Sequence, residues 1–233
     1  PIKNYKKINT MSENEVKHTT NEGLDSATAF WNKSGKKIAT AAAVILVVVG
    51  GWFGYQEYIV KPKEEKASEA MFKAQEYFAL DSSNLVLNGD GVNKGVLYIM
   101  NNYSGTKAAN IAGYYAGVSY LKLGDFNNAI KYLKDFSTDA KQIQMLAIGA
   151  LGDASAELNK KDEAIDYYKK AAASFSEDES NASEYLFRAA LLSETTGKNA
   201  EALALYKEIK EKYPKTDKGF LADKYIYRLG GEK

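Results

Sequence analysis

Hydrophobic and polar positions divide the chain into three stretches of different character. Residues 1–37 show no sustained period and are rich in Asn, Lys, Ser and Thr, a composition that predicts a mostly disordered polar tail. Ile38–Gln56 then runs for 19 residues without a charge, between Lys37 and Glu57. As a helix it reaches ~28 Å, close to the ~30 Å hydrocarbon core of a bilayer. Ala41–Val49 is apolar on every helical face, as a membrane span is and a surface helix is not. Trp52, Tyr55 and Tyr58 stand where an interfacial aromatic belt would form. The 37 residues ahead of the run, and the lack of a small-x-small cleavage site after it, favour a retained span over residues 38–60 rather than a signal peptide. Beyond it the period becomes that of an amphipathic helix. Pro62 interrupts the chain. Ala67, Ala70, Met71, Ala74 and Phe78 predict a helix over Lys63–Leu80, Asp81–Lys94 reads as a loop, and a second helix is expected over Gly95–Tyr103.

From Asn110 the pattern repeats. Residues 110–136, 145–171 and 183–214 align as helix-turn-helix units that resemble tetratricopeptide (TPR) repeats. In the first, Gly117, Tyr120, Gly124, Ala129 and Leu133 fall at repeat positions 8, 11, 15, 20 and 24. In the second, Leu151, Gly152, Ala164, Tyr168 and Ala171 take positions 7, 8, 20, 24 and 27. In the third, Ala190, Gly197, Ala202, Tyr206 and Pro214 take positions 8, 15, 20, 24 and 32. Small residues at 8 and 20 let the two helices of a hairpin cross closely, and large ones at 11 and 24 fill the space between hairpins. No hairpin buries its apolar face alone, so neighbours must stack. The expected fold is all-α: a single N-terminal transmembrane helix followed by a TPR-type α-solenoid. Residues 61–109 would form a linker helix and divergent first hairpin, 110–216 three repeats, and 217–233 a capping helix with Phe220, Leu221, Tyr225 and Leu229 in helical register.

Composition removes most chemistry. Cysteine is absent, and the only histidine, His18, lies in the tail, so a Cys-His or Ser-His-Asp nucleophile and a multi-His metal site are excluded. No P-loop or G-x-G-x-x-G is present. The NGDGVNKG segment lacks the ligand order of a calcium loop. Asp153 and Glu157 sit four apart on one helix, a spacing more often found on a solvated face than in an acid-base pair. Net charge is +1, and Arg188 and Arg228 are the only arginines, which argues against nucleic acid. The reading is a non-enzyme, with no catalytic, metal or cofactor-binding residues and no small-molecule substrate. The opening Pro1, with Met11-Ser12-Glu13 as an alternative start, leaves residues 1–10 in question as part of the natural product.

The segments GGWFGYQEYIVKP, AMFKAQEYFALDS and YSGTKAANIAGYYAGVSYLKLGDFNNAI, in that order after an uncleaved span, resemble the YfgM-like family of bacterial membrane proteins in its Bacteroidetes-type form, over about residues 38–229. The resemblance implies an inner-membrane anchor with a cytoplasmic N-terminus and a periplasmic TPR domain. It further implies an accessory role at the SecYEG translocon, beside a PpiD-like chaperone and emerging secreted clients. Lysines flank the span on both sides, so the flanking charge is a near tie, and the short tail with Lys throughout mildly favours that orientation.

TPR arrays bind partners along the face lined by the first helix of each repeat, through positions 2, 5, 9 and 12. Here these are Ile111, Tyr114, Val118 and Leu121; Leu146, Gly149, Asp153 and Ala156; and Glu184, Phe187, Leu191 and Glu194. The alternative is that these side chains pack inside the molecule. Tyr114 and Val118 stand where a carboxylate clamp would need Lys and Asn, so a clamp for chaperone tails is not expected in this register. Gly50 and Gly54 form a G-x-x-x-G that suits close approach of another membrane helix. Competing readings are a scaffold for outer-membrane assembly or cell division, and a self-associating anchor.

Overall fold

A computed structural model describes residues 13–231, with side chains from Leu24 onward. The question over residues 1–10 lies outside the described residues. Every regular element among the described residues is helical, as the periodicity predicts. The chain divides into two units at Val60/Lys61.

The first unit is one long helix, α1 (Glu13–Tyr55), closed by a π-helical turn at Gln56–Val60. Its apolar part is long enough to cross a membrane, and none of that part is buried within the molecule. The disordered tail expected up to residue 37 is corrected over residues 13–37, which are helical; its first twelve residues lie outside the described residues. No proline lies between Pro1 and Pro62, and no glycine cluster breaks the stretch before the span, so the helix nucleated by the apolar run extends backward at low cost. Pro62 has no N–H to give to the carbonyl four residues back, and the backbone turns π-helical just ahead of it.

The second unit is a succession of helices in the sense of a solenoid, each element packing mainly on its neighbours in sequence. It runs through α2 (Lys61–Ala79), α3 (Ser83–Asn88), α4 (Val96–Asn102), α5 (Lys107–Lys122), α6 (Phe126–Asp135), α7 (Lys141–Glu157), α8 (Lys161–Ser174), α9 (Glu179–Thr195), α10 (Asn199–Lys212) and α11 (Asp217–Arg228). The expected loop over Asp81–Lys94 contains α3, whose Val86 and Leu87 are buried against the first core cluster. The remaining turn is tied by Asp90, which accepts from the N–H groups of Val92 and Asn93 and from the Tyr77 hydroxyl. Those hydrogen bonds, led by the one from the Asn93 backbone, hold the Asp90 carboxyl far below the usual range.

The repeat rule is realised at each hairpin. Ala129, Ala164 and Ala202 at position 20 are fully buried. At position 8, a Cβ on Gly117 would stand 2.4 Å from the Leu133 side chain, and one on Gly152 would stand 2.6 Å from the Tyr168 ring. The turn between paired helices is the same three times. Gly124, Asn159 and Gly197 all have a left-handed φ near 60–80° (79°, 59° and 78°). The next N–H then reaches back to the carbonyls of Tyr120, Ser155 and Ser193 respectively. Asp125 and Asp178 cap α6 and α9 by the same D-x-x-N arrangement, accepting from the N–H groups of Asn128 and Asn181.

Candidate protein-binding groove

The first helices of the three repeats, α5, α7 and α9, carry the twelve predicted groove positions, and α11 follows them. The groove has two halves of opposite chemistry.

On α5, Ile111, Tyr114, Val118 and Leu121 are half-buried. Their inner sides rest on a core cluster of Leu133, Phe136, Ala147, Ala150 and Leu151. The Tyr114 ring lies 5.4 Å from that of Phe136 and 5.8 Å from that of Tyr115, which meets Phe78 of α2 edge-on at 4.6 Å. Leu146 on α7 is likewise half-buried. These side chains are anchored yet keep an apolar flank in solvent. Burial raises the pKa of the Tyr114 hydroxyl, so it is a neutral donor at any physiological pH. Beside Ile111 an open cavity of about 720 Å³ continues the face, lined by Glu64 and Met71 of α2, Lys107 and Asn110 of α5, and Ser137–Asp139. Its walls are fixed. Glu64 accepts from the N–H groups of Lys107 and Ala108 at 2.8 and 2.9 Å, and Asn110 donates to the Ser137 carbonyl.

From Gly149 onward Gly149 and Phe187 are buried, and the acids of the face, though half-exposed, are engaged by partners within the molecule. A Cβ on Gly149 would meet the Tyr185 ring at 2.2 Å, so Tyr185 covers that position. Asp153 accepts from the Tyr168 hydroxyl at 2.8 Å and from Arg188 Nη1 at 2.9 Å. Glu184 accepts from Arg188 Nε at 2.8 Å and pairs with Lys218 Nζ at 3.0 Å. Glu194 accepts from Tyr206 at 3.2 Å and from Arg228 Nη2 at 2.5 Å. Phe187 is 5% exposed, held between Tyr206 and Tyr225, with Lys218 Nζ 4.7 Å above its ring. Ala156 and Leu191 are half-buried on the separate core cluster that includes Phe187 and Tyr206. Asp153, Glu184 and Phe187 were expected as partner contacts and are engaged inside the molecule. For Glu184 and Phe187 the physical reason is α11, which lies over α9 and supplies Lys218 and Tyr225; for Asp153 it is Tyr168 of α8 and Arg188 of α9.

Electrostatics follow the network. Burial pushes the Glu184 carboxyl up, but hydrogen bonds from Arg188 and Lys218 outweigh it and leave its pKa below the ordinary value. Burial also opposes the charge of Arg188, and Glu184 and Asp153 more than restore it. Tyr185 is pushed up to about 12, first by burial and then by the nearby Asp153 charge.

Sequence reasoning missed Arg188 as the hub. Its i,i+4 spacing from Glu184 and the scarcity of arginine were the available signals. The contacts of Asp153 lead to Tyr168 and Arg188. Among the described residues, no cluster of three His, Cys, Asp or Glu could hold a metal. In the first unit, a Cβ on Gly50 or Gly54 would meet nothing within 4 Å, so neither glycine serves packing within its own chain.

Comparison with protein families gives two matches. A tetratricopeptide repeat-like domain matches residues 28–151, more than half of the chain, and a tetratricopeptide repeat matches residues 150–216. The first match starts ahead of the apolar run and continues through α2–α6 into α7, so span, first hairpin and first repeat are matched as one family unit. A search of the curated proteins finds no match.

Proposed function

The chain belongs to the tetratricopeptide repeat-like domain family, and from that premise we propose that it is a membrane-anchored scaffold whose α5 half of the groove holds a protein partner. One observation carries the reading. An apolar row on α5, anchored from beneath and wet on top, is joined in one chain to a fully exposed apolar helix of spanning length. Such a row suits apolar side chains of an extended or helical segment. In its concrete form the proposal is a bacterial inner-membrane protein with its N-terminus in the cytoplasm and its repeats in the periplasm. There it would act as an accessory subunit of the SecYEG translocon, linking it to a PpiD-like chaperone or to emerging secreted clients. The resemblance of the 38–229 region to YfgM-like proteins supports that form. Gly50 and Gly54 are the proposed contact with a foreign membrane helix, and their open surface supports it.

The test is photo-cross-linking in living cells from position 54 and position 114, with the adducts identified by mass spectrometry. Capture of a translocon subunit at 54 and of a chaperone or secreted chain at 114 is the expected result. Capture of an outer-membrane-assembly or division complex instead keeps the scaffold and removes the translocon. Self-adducts alone at both positions overturn the proposal.

A further inference from the structure

Between Leu24 and Ile38, α1 sorts its side chains by face. At ~100° per residue, Phe30, Ser34, Ala27, Ile38, Trp31 and Leu24 fall within one arc of ~120°. Asp25, Lys36, Lys33 and Lys37, the charged residues of the stretch, fall within a second arc of similar width that does not overlap the first. Leu24, Phe30 and Trp31 are exposed at 62%, 60% and 59%. This is an amphipathic segment, aromatic and aliphatic on one face and mostly lysine on the other, and it runs into the apolar stretch without a break in the helix.

We infer that residues 24–34 lie along the membrane surface, with Leu24, Ala27, Phe30 and Trp31 sunk into the boundary between headgroups and acyl chains, and that α1 bends at Ser34-Gly35 to place them there. The inference rests on reading Ile38–Gln56 as a membrane span; it is independent of the groove and of the translocon. Three arguments select lipid as the occupant of this face. The first is reach. The face is joined by covalent chain to the start of the span at Ile38, so every copy holds it at a bilayer surface whether or not a partner is present. The second is composition. Trp and Phe favour the interface, where a ring lies in an apolar layer beside the headgroups, and lysines on the other face keep their ammonium groups among headgroups and water. The third is width. An arc of ~120° that takes in six positions suits a half-immersed helix, whereas the seam between two coiled helices is narrower. A helix this short gains most of its stability from burying an apolar face, and among the described residues its own unit contains only α1 and the π-helical turn.

The bend has a local cause. As an upright extension of the span, the helix would carry Leu24, fourteen residues ahead of Ile38, ~21 Å from the hydrocarbon. Ser34-Gly35 is a Ser/Gly pair, the kind of site at which helices bend sharply. Just beyond it the Thr40 hydroxyl donates to the Lys36 carbonyl at 2.8 Å, a side-chain bond that competes with the backbone ladder and favours bending. The Trp31 ring packs over Gly35, 3.2 Å from where a Cβ would stand, so the bulkiest side chain of the face sits at the bend.

The natural absence of cysteine makes each introduced one unique. The full chain carrying Leu24→Cys, Ala27→Cys, Ala29→Cys, Lys33→Cys or Leu46→Cys is spin-labelled and reconstituted in vesicles of phosphatidylethanolamine and phosphatidylglycerol. Collisions of the label with oxygen, which concentrates in lipid, are compared with collisions with a water-soluble nickel chelate. The oxygen-to-nickel ratio is expected to be at least about threefold higher at 24 and 27 than at 29 and 33, and highest at 46. A nickel-rich signal at all four positions ahead of the span, with 46 oxygen-rich, overturns the inference and leaves the anchor standing. Low collision rates with both reagents at 24 and 27 also overturn it, because they mark a protein partner on that face. A nickel-rich signal at 46 overturns the span itself and the inference with it. A label at 24 or 27 alters the face it reports on, so the natural ring supplies a second measurement. In a Trp52→Phe variant Trp31 is the only tryptophan, and lipids brominated near the top of the acyl chain are expected to quench at least about half of its fluorescence. No quenching by those lipids contradicts the inference.

Discussion

The α5 half and the α9 half of the groove arise from the same repeat positions, yet they have opposite fates. On α5, positions 2, 5, 9 and 12 hold four apolar or aromatic side chains with one flank in solvent. On α9, the same positions hold Glu184, Phe187, Leu191 and Glu194, and α11 draws both acids and the ring into contacts of its own. What separates them is their neighbours. Beyond the α9–α10 hairpin the only remaining helix is α11, and it must cover an end of the solenoid that no further described repeat buries. Before α5, helix α2 packs beside it through Phe78 and Tyr115 and leaves the outer flank of Tyr114 clear. A repeat position therefore names a direction, and the following helix decides whether that direction is free.

The sharpest way to break the comparison is to truncate the two aromatic rings. Phe187→Ala should cost ~3–5 kcal/mol, as expected for a ring lost from a packed core. Tyr114→Ala should cost about 1 kcal/mol, because part of its ring is already in water. Denaturant unfolding of the chain in detergent, followed by near-ultraviolet circular dichroism, measures both. Equal losses would mean that the two halves are packed alike. Next in size, Gly149→Val drives a side chain into the Tyr185 ring and should cost ~2–3 kcal/mol by the same measurement. A neutral result would show that Tyr185 swings away freely and that the closed half can open.

Arg188→Met removes the centre of the polar chain and leaves Asp153 and Glu184 without their shared donor. Its cost should be about 1–2 kcal/mol, because the guanidinium is 41% exposed and solvent screens the pairs. Hydrogen exchange should quicken in α9 and α11 and stay unchanged in α5. The smallest effect is the pH dependence of Glu184. Its folded pKa lies below the ordinary value, so the unfolded chain binds the proton more readily. The stabilisation is then present at neutral pH and fades as pH falls through the carboxylate range. The melting-temperature difference between the natural chain and Glu184→Gln should accordingly shrink on acidification. A difference that holds constant down to acid unfolding would show that the charge contributes nothing.

The parts of this architecture that were legible in sequence are those set by local geometry. Gly117, Gly152 and Ala190 announce close helix crossings because a larger residue there strikes the partner helix. Gly124 and Gly197 announce two of the turns because the left-handed backbone favours Gly, whereas Asn159, at the same place in the second repeat, was not read as a turn residue. The apolar run announces a helix long and apolar enough to cross a membrane. Two elements were not legible for local reasons: α3 is a single short turn-and-a-half inside a glycine-rich segment, and residues 13–37 have too little period to reveal that α1 includes them. The closure of the groove was hidden for another reason. Arg188 reaches Asp153 across 35 positions, and Lys218 reaches Glu184 across 34, so both contacts depend on how the hairpins stack.

The central claim is that the α5 half presents the apolar surface free for a partner and that the ring and acids of the α9 half are engaged inside the molecule. Photo-cross-linkers placed at positions 114 and 187 of the full chain in living cells test it directly. Adducts with a different protein at 114, and only intramolecular or no adducts at 187, are the predicted result. The same foreign adduct at both positions, or at 187 alone, would contradict the account.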